Sequence, residues 1–235
     1  MSKSFLMGNE AIGLGAVRAG VKVASGYPGT PSTEVLETVA KHNPGDIYVE
    51  WSVNEKAGME VAAAAAYTGA RTMVTMKQVG LNVASDPLMS LAYVGVKGGM
   101  VVVVADDPGP ISSQTEQDTR RFGQFSKLPV FDPSSPEEAY EMIKDAFEYS
   151  EKYHTPVLFR PTTRLCHGCA SVELKERVKL PAPEGFVKDS GKWVIFPRLS
   201  HANHRMIEAR NPIIGEDFSS YRFNLLHREE GNTVK

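Results

Sequence analysis

The chain has 235 residues, 42% of them hydrophobic and 23% charged, enough for one α/β core and an appendage. A formal net charge of −2 supplies no field that would recruit nucleic acid or an anionic membrane, so partners are expected to be recognised by shape. The longest apolar runs, 61–67 and 100–105, fall far below a membrane-spanning length, and no basic and apolar leader opens the chain. Its two cysteines, Cys166 and Cys169, are too few and too close together for a secreted disulfide framework, so a reducing, cytoplasmic compartment is expected.

Helix and strand alternate through about residue 165. Residues 8–20 read as a helix stopped at Gly20, and 21–25 as a short strand. After a turn at 27–30, Thr30 is an expected N-cap with Pro31 at the first helical position of a helix to 42. A strand at 47–51 feeds a helix from about 54 to 67, whose five consecutive alanines permit close backbone approach to a sheet or to a second helix. The pattern repeats with a strand at 72–76, a helix at 81–93 interrupted early by Pro87, and a strand at 100–105. The unbroken run Val101 to Val104 suits a strand buried on both faces of a parallel sheet. A short strand at 130–131, an amphipathic helix at 135–153 with Pro136 at its first position, and a strand at 156–160 complete the series. These elements predict an α/β fold, a doubly wound, mainly parallel sheet with helices on both faces.

In that class ligands bind beyond the carboxyl ends of the strands. Four such ends stand out: Tyr27-Pro28-Gly29-Thr30, Ser52-Val53-Asn54-Glu55, Lys77-Gln78-Val79-Gly80 and 106–114. Plain structural readings compete with functional ones here. Thr30-Pro31 also reads as a helix start, and Ser52-x-x-Glu55 as a capping box. The G-x-G of Gly13 and Gly15 lies inside a helix and follows no strand, so it is not a dinucleotide fingerprint. Cys166-His167-Gly168-Cys169 supplies only half a tetrahedral metal site unless His201 and His204 fold back upon it, and exposed thiols are the simpler expectation. Beyond residue 172 the chain is charged and broken by Pro181, Pro183, Pro197 and Pro212, which predicts an extended connector.

The segments 26–34 (Gly26-Tyr27-Pro28-Gly29-Thr30-Pro31-Ser32-Thr33-Glu34), 50–56 (Glu50-Trp51-Ser52-Val53-Asn54-Glu55-Lys56) and 75–88, which runs from Thr75 through Gln78, Gly80 and Asn82 to Leu88, occur with a fourth, 104–109, and a fifth, 112–118. In this order and spacing they resemble the alpha subunits of indolepyruvate ferredoxin oxidoreductases, within the thiamine diphosphate-dependent 2-oxoacid:ferredoxin oxidoreductases. The likeness covers most of 5–165. It implies a pyrimidine-binding (Pyr) domain over 1–165 followed by a connector or tail over 166–235. Glu55 would hydrogen-bond N1′ of the aminopyrimidine and so activate the cofactor. Tyr27, Pro28, Gly29, Thr30, Gln78, Gly80 and Asn82 would line the cofactor, and Thr30, Gln78, Ile111 and Ser112 the substrate. The implied reaction is oxidative decarboxylation of a 2-oxoacid to its acyl-coenzyme A, with electrons leaving through iron–sulfur centres to ferredoxin.

Two positions depart from the indolepyruvate pattern, Gln78 and Ile111, where histidine is expected. Asp106 and Asp107 stand where pyruvate-specific relatives carry an arginine. The G-D-G motif that holds Mg²⁺ and the diphosphate has no counterpart, since Gly45-Asp46-Ile47 does not match it, and no ferredoxin-like cysteine run occurs. The resemblance thus implies half a cofactor site. Mg²⁺, the iron–sulfur clusters and the diphosphate-binding half are expected on other domains or subunits, with a companion oxidoreductase subunit, ferredoxin and a homodimeric or hetero-oligomeric assembly as partners. A non-oxidative 2-oxoacid decarboxylase half and a non-catalytic assembly module are the alternative readings, and the alanine-rich stretch 62–66 is a candidate packing surface for a second copy.

Overall fold

The computed structural model describes residues 3–225, so the tail expected over 166–235 runs outside the described residues after 225. In chain order the elements are β1 (Lys3–Met7), α1 (Gly8–Arg18), β2 (Val23–Gly26), α2 (Thr33–Lys41), β3 (Tyr48–Trp51), α3 (Glu55–Tyr67), β4 (Thr72–Lys77), α4 (Gln78–Val83) and α5 (Ser85–Val94). They continue with β5 (Met100–Ala105), α6 (Thr119–Ser126), β6 (Val130–Phe131), α7 (Pro136–Tyr153), β7 (Val157–Phe159), α8 (Thr163–His167), β8 (Cys169–Glu173), α9 (Ser190–Trp193) and α10 (Pro197–Ser219).

The main sheet has six strands in the order β3-β2-β4-β5-β7-β6, and every pairing in it is parallel. Parallel strands need crossovers, and the intervening helices cover both faces. Val101 and Val103 point into one core with Ile12, Val35 and Ile143 of α1, α2 and α7. Val102 and Val104 point into the other with Met59, Leu88 and Leu91 of α3 and α5. The valine run is therefore buried at every position, and each such side chain contributes about 1.5–3 kcal/mol by leaving water. The alanines of α3 have the plainer of their two expected roles: Ala62, Ala63 and Ala66 are buried in this second core, against the sheet.

Several boundaries differ from the sequence expectation. Thr30-Pro31 does not open α2; that peptide is cis, and the N-cap is Ser32. The Ser32 N–H and its hydroxyl both donate to Gly29 O, at 2.8 and 2.9 Å, so residues 29–32 close a turn of their own before the helix begins. The helix expected at 81–93 starts earlier, at Gln78, and breaks at Ala84 instead of Pro87, which sits in the first turn of α5 where its missing N–H costs nothing. Strands β1 and β8 pair antiparallel in a small separate sheet that the sequence did not announce.

The tail has no helix or strand from 174 to 189 and then folds. Pro197 occupies the first turn of α10, a position that needs no N–H, and Pro212 lies inside the same helix instead of ending it. Ile207 and Ile214 of α10 are buried, and Phe218 with Tyr221 packs on Phe131 and Tyr149, so this helix crosses the β6 edge of the sheet. An edge strand covered in this way cannot recruit another chain. The expectation of exposed thiols fails for Cys166, which is buried and whose thiol pKa is pushed up by that burial; Cys169 is exposed. Among the described residues no three His, Cys, Asp or Glu side chains gather in a metal-binding group, and no helix is long and apolar enough to cross a membrane.

Gly13 and Gly15 are packing glycines. A Cβ on Gly13 would stand 2.6 Å from Val35 O in α2, and one on Gly15 would stand 2.6 Å from Ile143 Cγ2 in α7. Because the obstacle at Gly13 is backbone, G13A is expected to push α1 off α2 at a cost of roughly 1–3 kcal/mol. Denaturant unfolding checks this; an unchanged midpoint would contradict the close packing.

Candidate functional site

The connection leaving β2 leads to α2 on one face of the sheet, whereas that leaving β4 leads to α4 and α5 on the other. The two strands are neighbours, with Gly26 paired to Thr75. Their diverging connections open a crevice at the carboxyl edge, the place where α/β sheets bind ligands. Three of the four expected segments, after β2, β3 and β4, emerge around it, and the fourth follows β5, the next strand.

Glu55 is the first residue of α3. The capping-box reading of Ser52-x-x-Glu55 does not hold: Asn54 is the N-cap, its side-chain oxygen accepting from the Ala57 N–H at 2.9 Å. Ser52 instead donates its hydroxyl to Glu50 Oε1 at 2.6 Å. The Glu55 carboxyl is thus released from any capping duty. The residue is only 8% exposed, and no hydrogen bond or ion pair to its carboxylate occurs among the described residues. It lies flat against Gly80 in α4, where a Cβ would come within 2.5 Å of Oε1 and 2.6 Å of Cγ. Gly80 is a cradle that only the absence of a side chain creates.

The helix carrying Glu55 is pinned to β2. Ser25 donates its hydroxyl to Gly58 O at 2.7 Å, and Gly58 brings α3 so close to Gly26 that its Cβ would lie 3.5 Å from the Gly26 N. Next along the chain, Tyr27, Pro28 and Thr30 are exposed and Gly29 half-buried. Gly29 donates its N–H to Thr33 Oγ1 at 2.9 Å and packs on the Lys77 side chain, whose Cδ would be 3.1 Å from a Cβ at Gly29. Gln78 is buried; it donates from Nε2 to Thr115 O at 2.9 Å, while its Oε1 has no hydrogen-bond partner. Asn82 is exposed at the far end of α4.

Ile111 and Ser112 lie in the loop that follows β5, both exposed, Ile111 by 68%. Among the described residues no hydrogen bond links them to Glu55 or Thr30. Asp107, which stands where an arginine is expected in pyruvate-specific relatives, holds this loop. Asp107 Oδ2 accepts the backbone N–H groups of Ile111, Ser112 and Ser113 at 2.9, 2.8 and 2.9 Å, and its Oδ1 accepts the Thr163 hydroxyl at 2.6 Å. Asp106 is buried too, accepting from Thr119 N–H at 2.9 Å and from Arg160 Nε at 2.7 Å. Both carboxylates are consumed internally. Burial pushes the Asp107 pKa up, but the Thr163 hydroxyl and the three N–H donors outweigh it and lower the value to about 2.

The arrangement fits an aminopyrimidine. A ring N–H would pair with the Glu55 carboxylate, to which no protein group donates among the described residues; the exposed 27–30 turn follows β2, the strand to which the Glu55 helix is tied, and Gln78 Oε1 is a buried acceptor without a partner.

Comparison with known proteins shows the family to which the chain belongs. The chain matches the family described as pyruvate flavodoxin/ferredoxin oxidoreductase, thiamine diphosphate-binding, over residues 14–234. It is 50% identical over 208 residues to indolepyruvate oxidoreductase subunit IorA of Methanothermobacter thermautotrophicus, a match covering 87% of this chain and 33% of the relative. With IorA of Pyrococcus horikoshii it shares 42% over 238 residues, covering 99% and 37%. The 2-oxoglutarate synthase subunit KorA of Methanocaldococcus jannaschii is 28% identical over 244 residues, covering 98% and 63%. The chain therefore spans about a third of the length of the IorA relatives it matches. Among solved structures, a 2-oxoglutarate:ferredoxin oxidoreductase from Magnetococcus marinus shares the fold with a TM-score of 0.69 at 20% identity, over 94% of this chain and 46% of that one.

Asp107 generates a pH prediction. Its pKa is lowered in the folded state, so its stabilisation is complete above the ordinary carboxylate value of 3.8 and is lost as pH falls through about 2. D107N should destabilise the protein by about 1–3 kcal/mol near neutral pH, since it leaves buried donors unpaired. The difference from the parent should shrink below about pH 3 in acid-unfolding curves. A pH-independent difference would contradict the charge-based account.

Proposed function

The chain belongs to the pyruvate flavodoxin/ferredoxin oxidoreductase, thiamine diphosphate-binding family, and from that premise we propose that it supplies the aminopyrimidine end of a shared thiamine diphosphate site. The assembly it serves is a 2-oxoacid:ferredoxin oxidoreductase of the indolepyruvate type, which converts a 2-oxoacid, coenzyme A and two oxidised ferredoxins to acyl-coenzyme A, carbon dioxide, two reduced ferredoxins and a proton. The single observation that carries this reading is the Glu55 carboxylate, seated on the bare backbone of Gly80 and left without a donor of its own among the described residues.

Bound thiamine diphosphate would supply the acidic carbon that adds to the 2-oxo group and takes up the electron pair released with carbon dioxide. Glu55 would accept the N–H at N1′ of the pyrimidine, which drives the proton balance on the 4′ nitrogen. Gly80 keeps that carboxylate in register. Tyr27, Pro28 and Gly29 would present backbone to the ring, Gln78 and Asn82 would edge it, and Thr30 with Ile111 and Ser112 would face the substrate. The higher identity to the IorA chains than to KorA supports an arylpyruvate substrate. Asp106 and Asp107, both tied up internally, offer no clamp for a small 2-oxoacid carboxylate.

In this reading residues 1–165 form the pyrimidine-binding unit, and 166–235 the connector or tail that follows it. The diphosphate, Mg²⁺ and the iron–sulfur clusters would fall to another domain or subunit. A companion subunit and ferredoxin are the expected partners.

In the assembly completed with its diphosphate-binding half, E55Q should lower 2-oxoacid-dependent ferredoxin or viologen reduction by about 10²- to 10⁴-fold, the range for losing a positioned proton-transfer group. G80A, which displaces the same carboxylate, should lose activity with little change in thermal midpoint. Full activity in E55Q would favour a non-catalytic module, and aldehyde release without reduction of the acceptor would favour a decarboxylase.

A further inference from the structure

The strand ends that surround the crevice carry two cations, Lys56 and Lys77, in segments 26–32, 51–56, 77–82 and 106–118. Lys56 is neutralised by Asp86 at 2.9 Å. Lys77 is not: among the described residues its ammonium meets no carboxylate, and its one hydrogen bond, at 3.0 Å, goes to the neutral Oε1 of Gln114. The acids in the loop it touches are otherwise engaged, with Asp107 holding three backbone N–H groups, Asp106 bound to Arg160, and Glu116 accepting the Gly109 N–H at 3.0 Å.

Local structure does not explain a lysine here. Lys77 is the last residue of β4 and the N-cap of α4, a position that favours a hydroxyl, an amide or an acid, and where a cation is repelled by the helix dipole. Its half-buried stem runs over Gly29, which has no side chain to obstruct it. The side chain thus runs from the 27–30 turn, where its stem packs on Gly29, to Gln114 in the loop after β5, and it stands immediately before α4, whose Gly80 carries the Glu55 carboxyl.

We propose that Lys77 is the counter-ion for the carboxylate of the 2-oxoacid substrate, with Gln114 steering the ammonium until the substrate arrives. This rests on the thiamine diphosphate reading above and deepens it, because it places the charge recognition on the pyrimidine-binding half. A flexible point charge on a long stem accommodates substrates of different side-chain bulk, whereas a rigid bidentate clamp fixes one geometry.

The test is steady-state kinetics of the complete assembly with K77Q and K77R, and with E55Q in parallel, using indolepyruvate as substrate and its methyl ester, which has no carboxylate to lose as carbon dioxide, as a competitive inhibitor; the preference for acid over ester is the ratio of the ester's inhibition constant to the KM of the acid. K77Q is expected to raise KM for the acid by about ten- to a hundredfold, the loss of one charge-assisted hydrogen bond, with a much smaller change in kcat. Its preference for acid over ester should collapse, its thiamine diphosphate affinity should stay unchanged, and K77R should recover most of the parent KM. An unchanged acid-to-ester preference in K77Q would overturn the inference, as would weakened cofactor binding in place of raised KM, which would assign the ammonium to the cofactor's phosphates. If E55Q abolishes turnover while K77Q leaves the preference intact, only the Lys77 inference fails. If E55Q is as active as the parent, or the assembly turns over no 2-oxoacid, the thiamine reading fails and the Lys77 inference with it.

Discussion

The contact between the Glu55 carboxyl and the bare backbone of Gly80 is the constraint around which the rest of the crevice is arranged. The Glu55 side chain is largely covered, yet its carboxylate oxygens still reach solvent and receive no donor from the protein among the described residues, so they are open to a donor from a ligand. Their position is set by neighbouring restrictions. Asn54 caps α3 so that Glu55 is free, Ser25 ties the first turn of that helix to β2, and Gly58 allows the approach. Each is a small local feature, and together they fix where the carboxyl points.

What brings those features to one place is the burial of apolar surface. With the sheet covered on both faces, the strands have little freedom but to run parallel, and every β-to-α connection after β2, β3, β4 and β5 then emerges on the same edge. The reversal of winding between β2 and β4 leaves their connections to part, and the crevice forms there without any residue being devoted to it. Asp107 extends the same logic to the loop after β5: one carboxylate replaces the hydrogen bonds that an irregular loop cannot make for itself.

Most of the main sheet was legible in the sequence because its strands are short stretches closed by turns and spaced by helical segments, with Val101 to Val104 the plainest case. The pairing of β1 with β8 was not, since each places few buried side chains against the domain, Leu6 on one and Val172 on the other. Helix α10 was hidden by its prolines: position, not presence, decides whether proline breaks a helix, and Pro197 in the first turn is harmless. Glu55, Gly80 and the 27–30 turn could be picked out from motif and resemblance. The cradle itself could not, because it is a contact between residues twenty-five apart in sequence that only the packing of α3 on α4 creates. Lys77 escaped notice for a different reason: a lysine at a strand end is ordinary until its acidic neighbours are seen to be occupied, and counting the cations at the four strand ends leaves two, Lys56 and Lys77, which only the Lys56–Asp86 pair tells apart.

The account therefore turns on what the Glu55 carboxylate receives. The family to which the chain belongs is described as thiamine diphosphate-binding, and the proposal gives Glu55 the pyrimidine end of that cofactor. The most direct measurement is a nitrogen-15 NMR spectrum of the completed assembly loaded with thiamine diphosphate labelled at N1′. The account predicts a protonated N1′ hydrogen-bonded to Glu55 near neutral pH, well above the pH at which the free cofactor holds that proton. An unprotonated N1′ with the free cofactor's titration would contradict it.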